Sequence, residues 1–164
     1  MAEDPGAAFR LYSAAARAGS VWATEMIAWQ YWTGTGVGVE LDLADEQYRR
    51  AIALGSQMAM IGYARLLDER GEYIASDRVL ENGLASDFIP ASYWLARLRY
   101  ERIKTKRTAM EVRPMLEKAA AHGHPGARAE LARMKAIGKL GLRNVPDGFR
   151  LIFRLAFNSA KEAG

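Results

Sequence analysis

Three groups of residues have types that could do chemistry. The first is the stretch "TGTGVG", in which Gly34, Gly36 and Gly38 alternate with other residues and could let backbone amides approach a phosphate. A nucleotide loop needs G-x-G-x-x-G after a strand, or a glycine-rich loop ending in Lys-Ser or Lys-Thr. Val39 stands where the third glycine belongs, and no such lysine pair follows. We therefore expect a turn that ends a helix, and we expect no cofactor.

The second group is the histidine pair of "HGH", and the third is the serines. His122 and His124 are the only histidines, and the chain has no cysteine. Two ligands on either side of a helix boundary do not complete a zinc shell, so we expect a helix end and a turn rather than a metal site. No serine stands in a G-x-S-x-G nucleophile elbow. The sequence predicts no catalytic residues and no enzyme.

Length and composition predict a single globular domain over residues 1–164. Half of the residues are apolar (50%) and 26% are charged, which is ordinary for a domain that buries a sizeable core. The chain lacks cysteine, a start typical of a secretory signal, and an apolar run of the roughly 18 residues that a membrane span needs. We therefore expect a cytoplasmic protein.

Charge is distributed unevenly along the chain. Residues 1–94 carry 7 basic and 13 acidic side chains, a net charge of −6, whereas residues 95–164 carry 16 and 6, a net charge of +10. This polarity favours an anionic partner for the second half, or end-to-end association of two copies. A solvated surface with uneven charge is the alternative interpretation.

An internal repeat organises the whole chain. Its four segments are "ARAGSVWA" (16–23), "IALGSQMA" (52–59), "LASDFIPA" (84–91) and "AAHGHPGA" (120–127). Each segment ends in an alanine, and the closing alanines are spaced by 36, 32 and 36 residues. Small and large residues recur in fixed columns on both sides, at the three- and four-residue spacing of helix faces. No stretch alternates convincingly with a period of two, so the prediction is an all-α protein.

Each repeat unit is predicted to contain two helices joined by a turn. The predicted elements are a first helix at 6–18 and the pairs 21–33/41–54, 57–70/73–86, 89–102/108–121 and 126–137/147–160. Four prolines fall at or just before predicted helix starts, where a missing amide hydrogen costs least. Residues 139–164 are expected to form a segment that caps the last pair.

The columns of residues 23–55 resemble those of the Sel1-like repeat, a branch of the tetratricopeptide superfamily. The matching residues are Ala23, Tyr31, Gly34, Gly36, Val37, Asp42, Ala44, Tyr48, Ala51 and Gly55. The unit at 59–87 departs from the pattern in its shortened turn and in Asp87, which replaces the boundary glycine, and the unit at 91–123 lacks the glycine pair. The resemblance implies an α-solenoid, a right-handed superhelix of antiparallel helix pairs, that binds other proteins and catalyses nothing.

A second set of columns contains the candidate partner-binding residues. Six residues after each closing alanine stand Trp29, Arg65, Arg97 and Arg133. Residues two and nine after it fall on the same helix face and add Tyr93, Trp32 and Tyr100. In tetratricopeptide-like folds this face lines the concave surface, so the resemblance implies a groove of arginines and aromatics. These residue types are frequent at interface hot spots, and guanidinium groups suit carboxylates. The alternative is that they only pack repeats together.

The predicted function is therefore protein or peptide binding, with a partner that carries acidic groups. Nucleic acid is disfavoured as the partner, because the repeat columns are too irregular for a reader that takes one base per unit. The last helix has an apolar face of Phe149, Ile152, Phe153, Ala156 and Ala160. It either caps the repeats, covered by residues beyond this chain or by a second copy in a homodimer, or it lies on an anionic membrane surface.

Overall fold

Eight complete helices make up the described part of the chain, in a computed structural model that describes residues 4–140 and 146–152. They are α1 (Pro5–Arg17), α2 (Val21–Thr33), α3 (Leu41–Ala53), α4 (Gln57–Glu69), α5 (Tyr73–Ala85), α6 (Ile89–Arg102), α7 (Lys106–Ala121) and α8 (Pro125–Ala136). Residues 146–152 are also helical, and the described residues contain no strand. The all-α prediction is confirmed, and the predicted helix ends are within two residues of the observed ones.

The boundaries between repeat units share one backbone conformation. Gly19, Gly55 and Gly123 have φ angles of 95°, 97° and 87°, in the left-handed region. Asp87, which stands in their place in the third boundary, has a φ of 56° and is the one non-glycine with a positive φ among the described residues. Asp tolerates this conformation better than most residues with a side chain. The register predicted from the sequence is therefore the structural register.

In three of the four units, the side chain that precedes the first helix caps it. The hydroxyls of Ser20 and Ser56 accept hydrogen bonds from the amides of Ala23 and Ala59, at 3.2 and 3.1 Å. Such caps satisfy amides that have no partner inside the helix. The fourth unit uses a histidine in this role, as described below.

Alanine columns allow the helices to pack closely. The columns defined by the closing alanines and by the alanines five residues later are fully or almost fully buried: Ala23, Ala59, Ala91, Ala127, Ala28, Ala64, Ala96 and Ala132. Larger residues fill the space between them, led by Tyr48, Leu80 and Leu116. A small residue on one helix facing a large one on the next is how close helix crossings are filled.

Side-chain hydrogen bonds to backbone carbonyls also connect neighbouring helices. Ser76 on α5 donates to the carbonyl of Ala64 on α4 at 2.8 Å, and Ser92 on α6 donates to the carbonyl of Met115 on α7 at 2.9 Å. Both serines are buried, so these bonds satisfy hydroxyls that water cannot reach.

The chain separates into two compact units, Met1–Gly83 and Leu84–Gly164. The first has a core around Ala44, Tyr48 and Leu66, and the second around Tyr100, Val112 and Leu116. The expectation of a single domain over residues 1–164 stays a prediction.

Residues 146–152 pack against the end of α8. A Cβ atom built on Gly148 would lie 2.2 Å from the amide nitrogen of Ala136 and 2.6 Å from the carbonyl carbon of Lys135. The two backbones therefore approach as closely as only glycine allows. The capping role of residues 139–164 stays a prediction. The predicted apolar residues Phe153, Ala156 and Ala160 lie outside the described residues.

Candidate partner-binding site

The glycines of "TGTGVG" form a turn, as predicted from the sequence. Gly34 caps the C-terminus of α2 with a φ of 75°, and its amide donates to the carbonyl of Gln30 at 2.8 Å. A Cβ on Gly36 would lie 2.1 Å from the carbonyl oxygen of Pro5, so this glycine lets the loop pack against the start of α1. The segment connects two helices and does not follow a strand.

The two histidines end and begin helices, which confirms that prediction also. His122 is the C-terminal cap residue of α7, and His124 is the N-terminal cap residue of α8. Within residues 4–140 and 146–152, no three His, Asp or Glu side chains come together as a metal-binding group.

The column of four predicted residues lies on the first helix of each unit, and all four are exposed. Trp29, Arg65, Arg97 and Arg133 come from α2, α4, α6 and α8, respectively. Each of the three arginines lies over an aromatic ring. The aromatic ring under the arginine differs from one repeat unit to the next.

In the second compact unit, Arg97 is held by two aromatic residues of its own helix. Its Nη1 donates to the hydroxyl of Tyr93 at 3.0 Å, and its guanidinium carbon lies 5.2 Å from the ring centroid of Trp94. A cation at this distance from a ring face is attracted by the ring quadrupole. The guanidinium is thereby held in place before any partner arrives.

Arg133 is held by an aromatic ring and by a carboxylate. Its guanidinium carbon lies 5.9 Å from the ring centroid of Tyr100. It also forms a two-pronged ion pair with Glu130, three residues earlier on α8. The hydrogen bond with Glu130 raises the pKa of the Arg133 guanidinium. An acidic group of a partner must therefore share Arg133 with Glu130 or displace it.

A pocket of about 320 Å³ lies between α6 and α8 and brings these residues together. Its lining residues are Tyr93, Arg97, Glu101, Lys104, Gly126, Ala129, Glu130 and Arg133. Glu101 and Lys104 form an ion pair at 2.7 Å, and this hydrogen bond, with smaller contributions from Arg97 and Arg133, lowers the pKa of Glu101. Three cations and two carboxylates line the pocket, so its formal charge is +1.

His124 and Gly126 support the pocket from the start of α8. The imidazole of His124 stacks on the ring of Tyr93 with centroids 4.3 Å apart, and its Nδ1 accepts from the amide of Ala127 at 3.2 Å. Burial lowers the pKa of His124, which favours the neutral ring that this acceptor role needs. A Cβ on Gly126 would lie 2.9 Å from Cζ of Tyr93, so glycine leaves room for the tyrosine.

In the first compact unit, Arg65 lies on Trp32. The guanidinium carbon is 4.9 Å from the indole centroid, and the indole Nε1 donates to Glu69 at 2.9 Å. Trp32 in turn packs edge-on against the buried ring of Tyr48, with centroids 6.5 Å apart. Arg65, Trp32 and Glu69 therefore form a second cluster in which an arginine is fixed on an aromatic ring.

Trp29 occupies a different environment from the arginines of its column. Its side chain is 40% exposed and lines a pocket of about 560 Å³ with α1 residues that include Leu11 and Tyr12. The first unit thus presents Trp29 beside α1, and it presents Trp32 beside Tyr48 and Arg65.

Tyr93 and Tyr100 are more buried than the groove prediction assumed. They are 8% and 3% exposed, so their rings belong to the core and support arginines instead of offering contact area themselves. Trp94, Glu101, Lys104 and Glu130 were missed by the sequence reasoning. The signal for Glu101 and Glu130 was present, because they stand four residues after Arg97 and three before Arg133, where side chains on one helix meet.

The likeness to solved structures is one of fold. A Sel1 repeat protein from Oxalobacter formigenes superposes with a TM-score of 0.65 over 85% of this chain, at 17% sequence identity. The protective antigen c5321 of uropathogenic Escherichia coli, which displays an SLR fold, gives a TM-score of 0.68 over 90% of this chain, at 16% identity. The chain has the Sel1-like repeat fold. It spans 58% of the first of these proteins and 33% of the second.

The sequence of this chain is far from those of the two proteins that share its fold. No family model and no curated protein sequence matches the chain. Substitutions such as Asp87 for the boundary glycine illustrate how the repeat pattern is weakened while the fold is kept. The resemblance predicted from the repeat columns is confirmed at the level of fold.

Proposed function

We propose that this Sel1-like repeat chain is a protein-interaction module that binds a peptide or protein segment bearing carboxylates. The observation that carries the proposal is the pocket between α6 and α8, where the exposed guanidinium groups of Arg97 and Arg133 are backed by aromatic rings. The fold itself presents repeated helix faces and requires no cofactor for this role.

The energetic argument rests on how the arginines are held. A surface arginine loses much rotamer freedom when it binds a carboxylate. Arg97 is already fixed by Tyr93 and Trp94, so less entropy is lost when a partner binds. Arginine and aromatic residues are also the types most often found at interface hot spots. The cluster of Arg65 and Trp32 in the first compact unit is a second contact point of the same chemistry.

Catalysis forms no part of the proposal. The carboxylates of the pocket, Glu101 and Glu130, are ion-paired with Lys104 and Arg133. The pKa of Glu101 is lowered, whereas a general acid at neutral pH needs a raised pKa. Glu101 and Glu130 therefore affect the binding of a charged partner through their own charges.

A second candidate function is binding of an anionic surface, either nucleic acid or membrane. Basic residues outnumber acidic ones by 16 to 7 over residues 84–164, which is the observation that favours it. Some of these basic side chains are already engaged within the unit, in ion pairs such as Arg107–Glu111 and Arg113–Glu117. No helix of the described residues combines the length and the apolarity needed to cross a bilayer, so any membrane contact made by these helices would be at the surface.

The proposal is tested by selecting peptides from a randomised display library on the full chain. We expect selected sequences to be enriched in Asp and Glu. Their affinity is measured by fluorescence anisotropy at about 0.15 M salt, and it should fall at least roughly tenfold in the double variant Arg97→Glu, Arg133→Glu. The reason is that the loss of a hydrogen bond between charged groups costs about 1.5 kcal/mol or more.

A matched control separates the pocket from overall charge. The double variant Arg107→Glu, Arg113→Glu changes the net charge of the same compact unit by as much as the pocket variant does. These two arginines lie outside the pocket, and each pairs with a glutamate. This control should stay within about twofold of the wild type. Equal losses in both double variants, or no loss in the pocket variant, would refute pocket binding.

A further inference from the structure

The hydroxyl of Tyr93 is a hydrogen-bond donor in the pocket between α6 and α8. It accepts the hydrogen bond of Arg97 Nη1 at 3.0 Å, so one lone pair of its oxygen is used and its proton remains to be donated. Among the residues that the structure describes, the hydroxyl accepts this bond and donates none. Tyr93 is 8% exposed, and it is one of the residues that line the pocket.

We propose that this pocket binds one carboxylate group, held jointly by the Tyr93 hydroxyl and the Arg97 guanidinium, and that it discriminates against doubly charged phosphate groups. The inference rests on the proposed function and goes further, because it names the ligand group and the atoms that receive it. The source of the carboxylate is a peptide, through an Asp or Glu side chain or a C-terminus.

Donor geometry supports a carboxylate as the ligand. A carboxylate has two oxygens with four lone-pair sites, and it accepts well from a planar guanidinium and from a hydroxyl at the same time. Arg97 directs one N–H group to Tyr93 and has four others. One carboxylate oxygen can therefore accept from the hydroxyl of Tyr93 and the other from Arg97.

Charge supports a single carboxylate over a phosphate. The cations Arg97, Lys104 and Arg133 share the pocket with the carboxylates of Glu101 and Glu130. One bound negative charge neutralises the formal charge of +1. A second negative charge would face two glutamates in the same small space, and like charges at close range oppose binding.

The support of Tyr93 makes the hydroxyl a fixed donor. His124 stacks on the ring at 4.3 Å, and a Cβ on Gly126 would lie 3.0 Å from the hydroxyl oxygen. The ring therefore has little space in which to move, and the position of its hydroxyl is determined before the ligand arrives. A pocket of about 320 Å³ is at the lower end of the range of about 300–1,000 Å³ for small-ligand sites, which suits a single acidic side chain.

The test titrates the ¹⁵N-labelled full chain with three small N-acetylated amino-acid probes that differ in their charged group. N-acetylglutamine carries one carboxylate, N-acetylglutamine amide carries no charge, and N-acetylphosphoserine amide carries the phosphate dianion. We expect N-acetylglutamine to shift the amide resonances of Gly126 and Ala129, which line the pocket, with a saturable curve. The neutral amide should give no shift, and the phosphate probe should bind at least roughly threefold more weakly.

Variants identify the donor. Tyr93→Phe keeps the ring and its stacking but removes the hydroxyl, and should weaken N-acetylglutamine about tenfold, in line with one hydrogen bond to a charged group. Tyr73→Phe removes a hydroxyl from an exposed tyrosine of the first compact unit and should leave the affinity unchanged. Retained dispersion of the amide spectrum in each variant shows that the fold is intact.

The outcomes separate this inference from the proposed function. Absence of shifts at Gly126 and Ala129, stronger binding of the phosphate probe, or an unchanged affinity of Tyr93→Phe would overturn the carboxylate site. In each case, weaker binding of the selected peptides to the double variant Arg97→Glu, Arg133→Glu would still support the proposed peptide binding. The converse result is that N-acetylglutamine binds in the pocket while the selected peptides bind the double variant as tightly as the wild type. That result would support the carboxylate site and contradict the proposed function.

Discussion

At the scale of residues, arginines held on aromatic rings are the main chemical feature of this protein. Arg65 lies on Trp32, Arg97 on Trp94 and Arg133 on Tyr100, at distances of 4.9 to 5.9 Å. The rings are in turn packed into helix interfaces, so the guanidinium groups have defined positions. An Arg-to-Lys change at these positions would keep the charge but lose the planar group that stacks and donates in two directions.

His124 gives the chain a pH dependence that can be predicted with its sign. Its Nδ1 accepts the cap hydrogen bond of α8 only when the ring is neutral, and burial lowers its pKa in the folded state. The unfolded state therefore binds the proton more readily, so stability is fully present above the unfolded pKa of about 6.5 and falls as the pH drops below it. A helix cap contributes about 1 kcal/mol, so we expect the loss of stability at low pH to be of about this size.

The measurement is urea unfolding at pH 8 and pH 5.5. We expect His124→Ser to flatten the decrease in stability at low pH, because serine caps α2 and α4 in the same way and does not titrate. His122→Ser is the control, since His122 is exposed at the end of α7, and it should keep the wild-type dependence. An equal decrease in wild type and His124→Ser would show that the cap does not titrate.

At the scale of elements, the boundaries between helices determine the repeat. A left-handed residue separates one repeat unit from the next at all four boundaries, and at three of them a serine or histidine side chain caps the helix that follows. Asp87 shows that the left-handed conformation, and not glycine itself, is required at the boundary. Pro114 lies inside α7, although proline disfavours helix interiors. It is exposed, whereas Val112 and Leu116 on either side of it in sequence are buried in the core.

The close contact of Gly148 with α8 predicts that Gly148→Ala destabilises the protein. The added Cβ would meet the backbone of Lys135 and Ala136, which cannot yield as a flexible side chain can. Overpacking of this kind costs about 1–3 kcal/mol, or roughly 2–12 °C in melting temperature for a chain of this size. Differential scanning fluorimetry and amide exchange over 146–152 measure the effect.

Gly38→Ala is the control for that substitution. A Cβ on Gly38 meets nothing within 4 Å, and its φ is not positive, so the change should be neutral or slightly stabilising. Wild-type exchange rates and an unchanged melting temperature in Gly148→Ala would mean that residues 146–152 do not depend on this contact.

At the scale of the whole molecule, charge separates the two proposed classes of partner. Residues 84–164 have an excess of nine basic side chains, yet the pocket combines cations with glutamates. We expect bare single-stranded RNA to bind weakly through dispersed contacts. About three or fewer phosphate contacts give a slope no steeper than about −2 in a plot of log affinity against log salt.

A labelled 20-nucleotide oligouridine titrated at several salt concentrations measures that slope. The pocket variant and the Arg107, Arg113 control variant should reduce RNA affinity equally, because dispersed contacts depend on net charge alone. A steep slope, or a loss confined to Arg97→Glu with Arg133→Glu, would favour nucleic acid over an acidic peptide.

Local patterns in the sequence predicted most of the fold. Turn glycines, capping serines and columns of alanine act over a few residues, and they determine where helices end and which faces are buried. The exposed positions of Arg65, Arg97 and Arg133 follow from the same periodicity. The sequence by itself therefore determined the helices, the repeat register and the column that contains the candidate site.

Only the tertiary structure decided which side chains meet across helices. Tyr93 was predicted to be a groove aromatic, yet its ring is buried and stacks on His124, and the residue lines the pocket between α6 and α8. Trp29 shares a column with the arginines but lies beside α1. These outcomes depend on distances between residues far apart in sequence, such as the pair Tyr93 and Gly126. Helix periodicity determines the face of a residue, and packing between helices determines its neighbours.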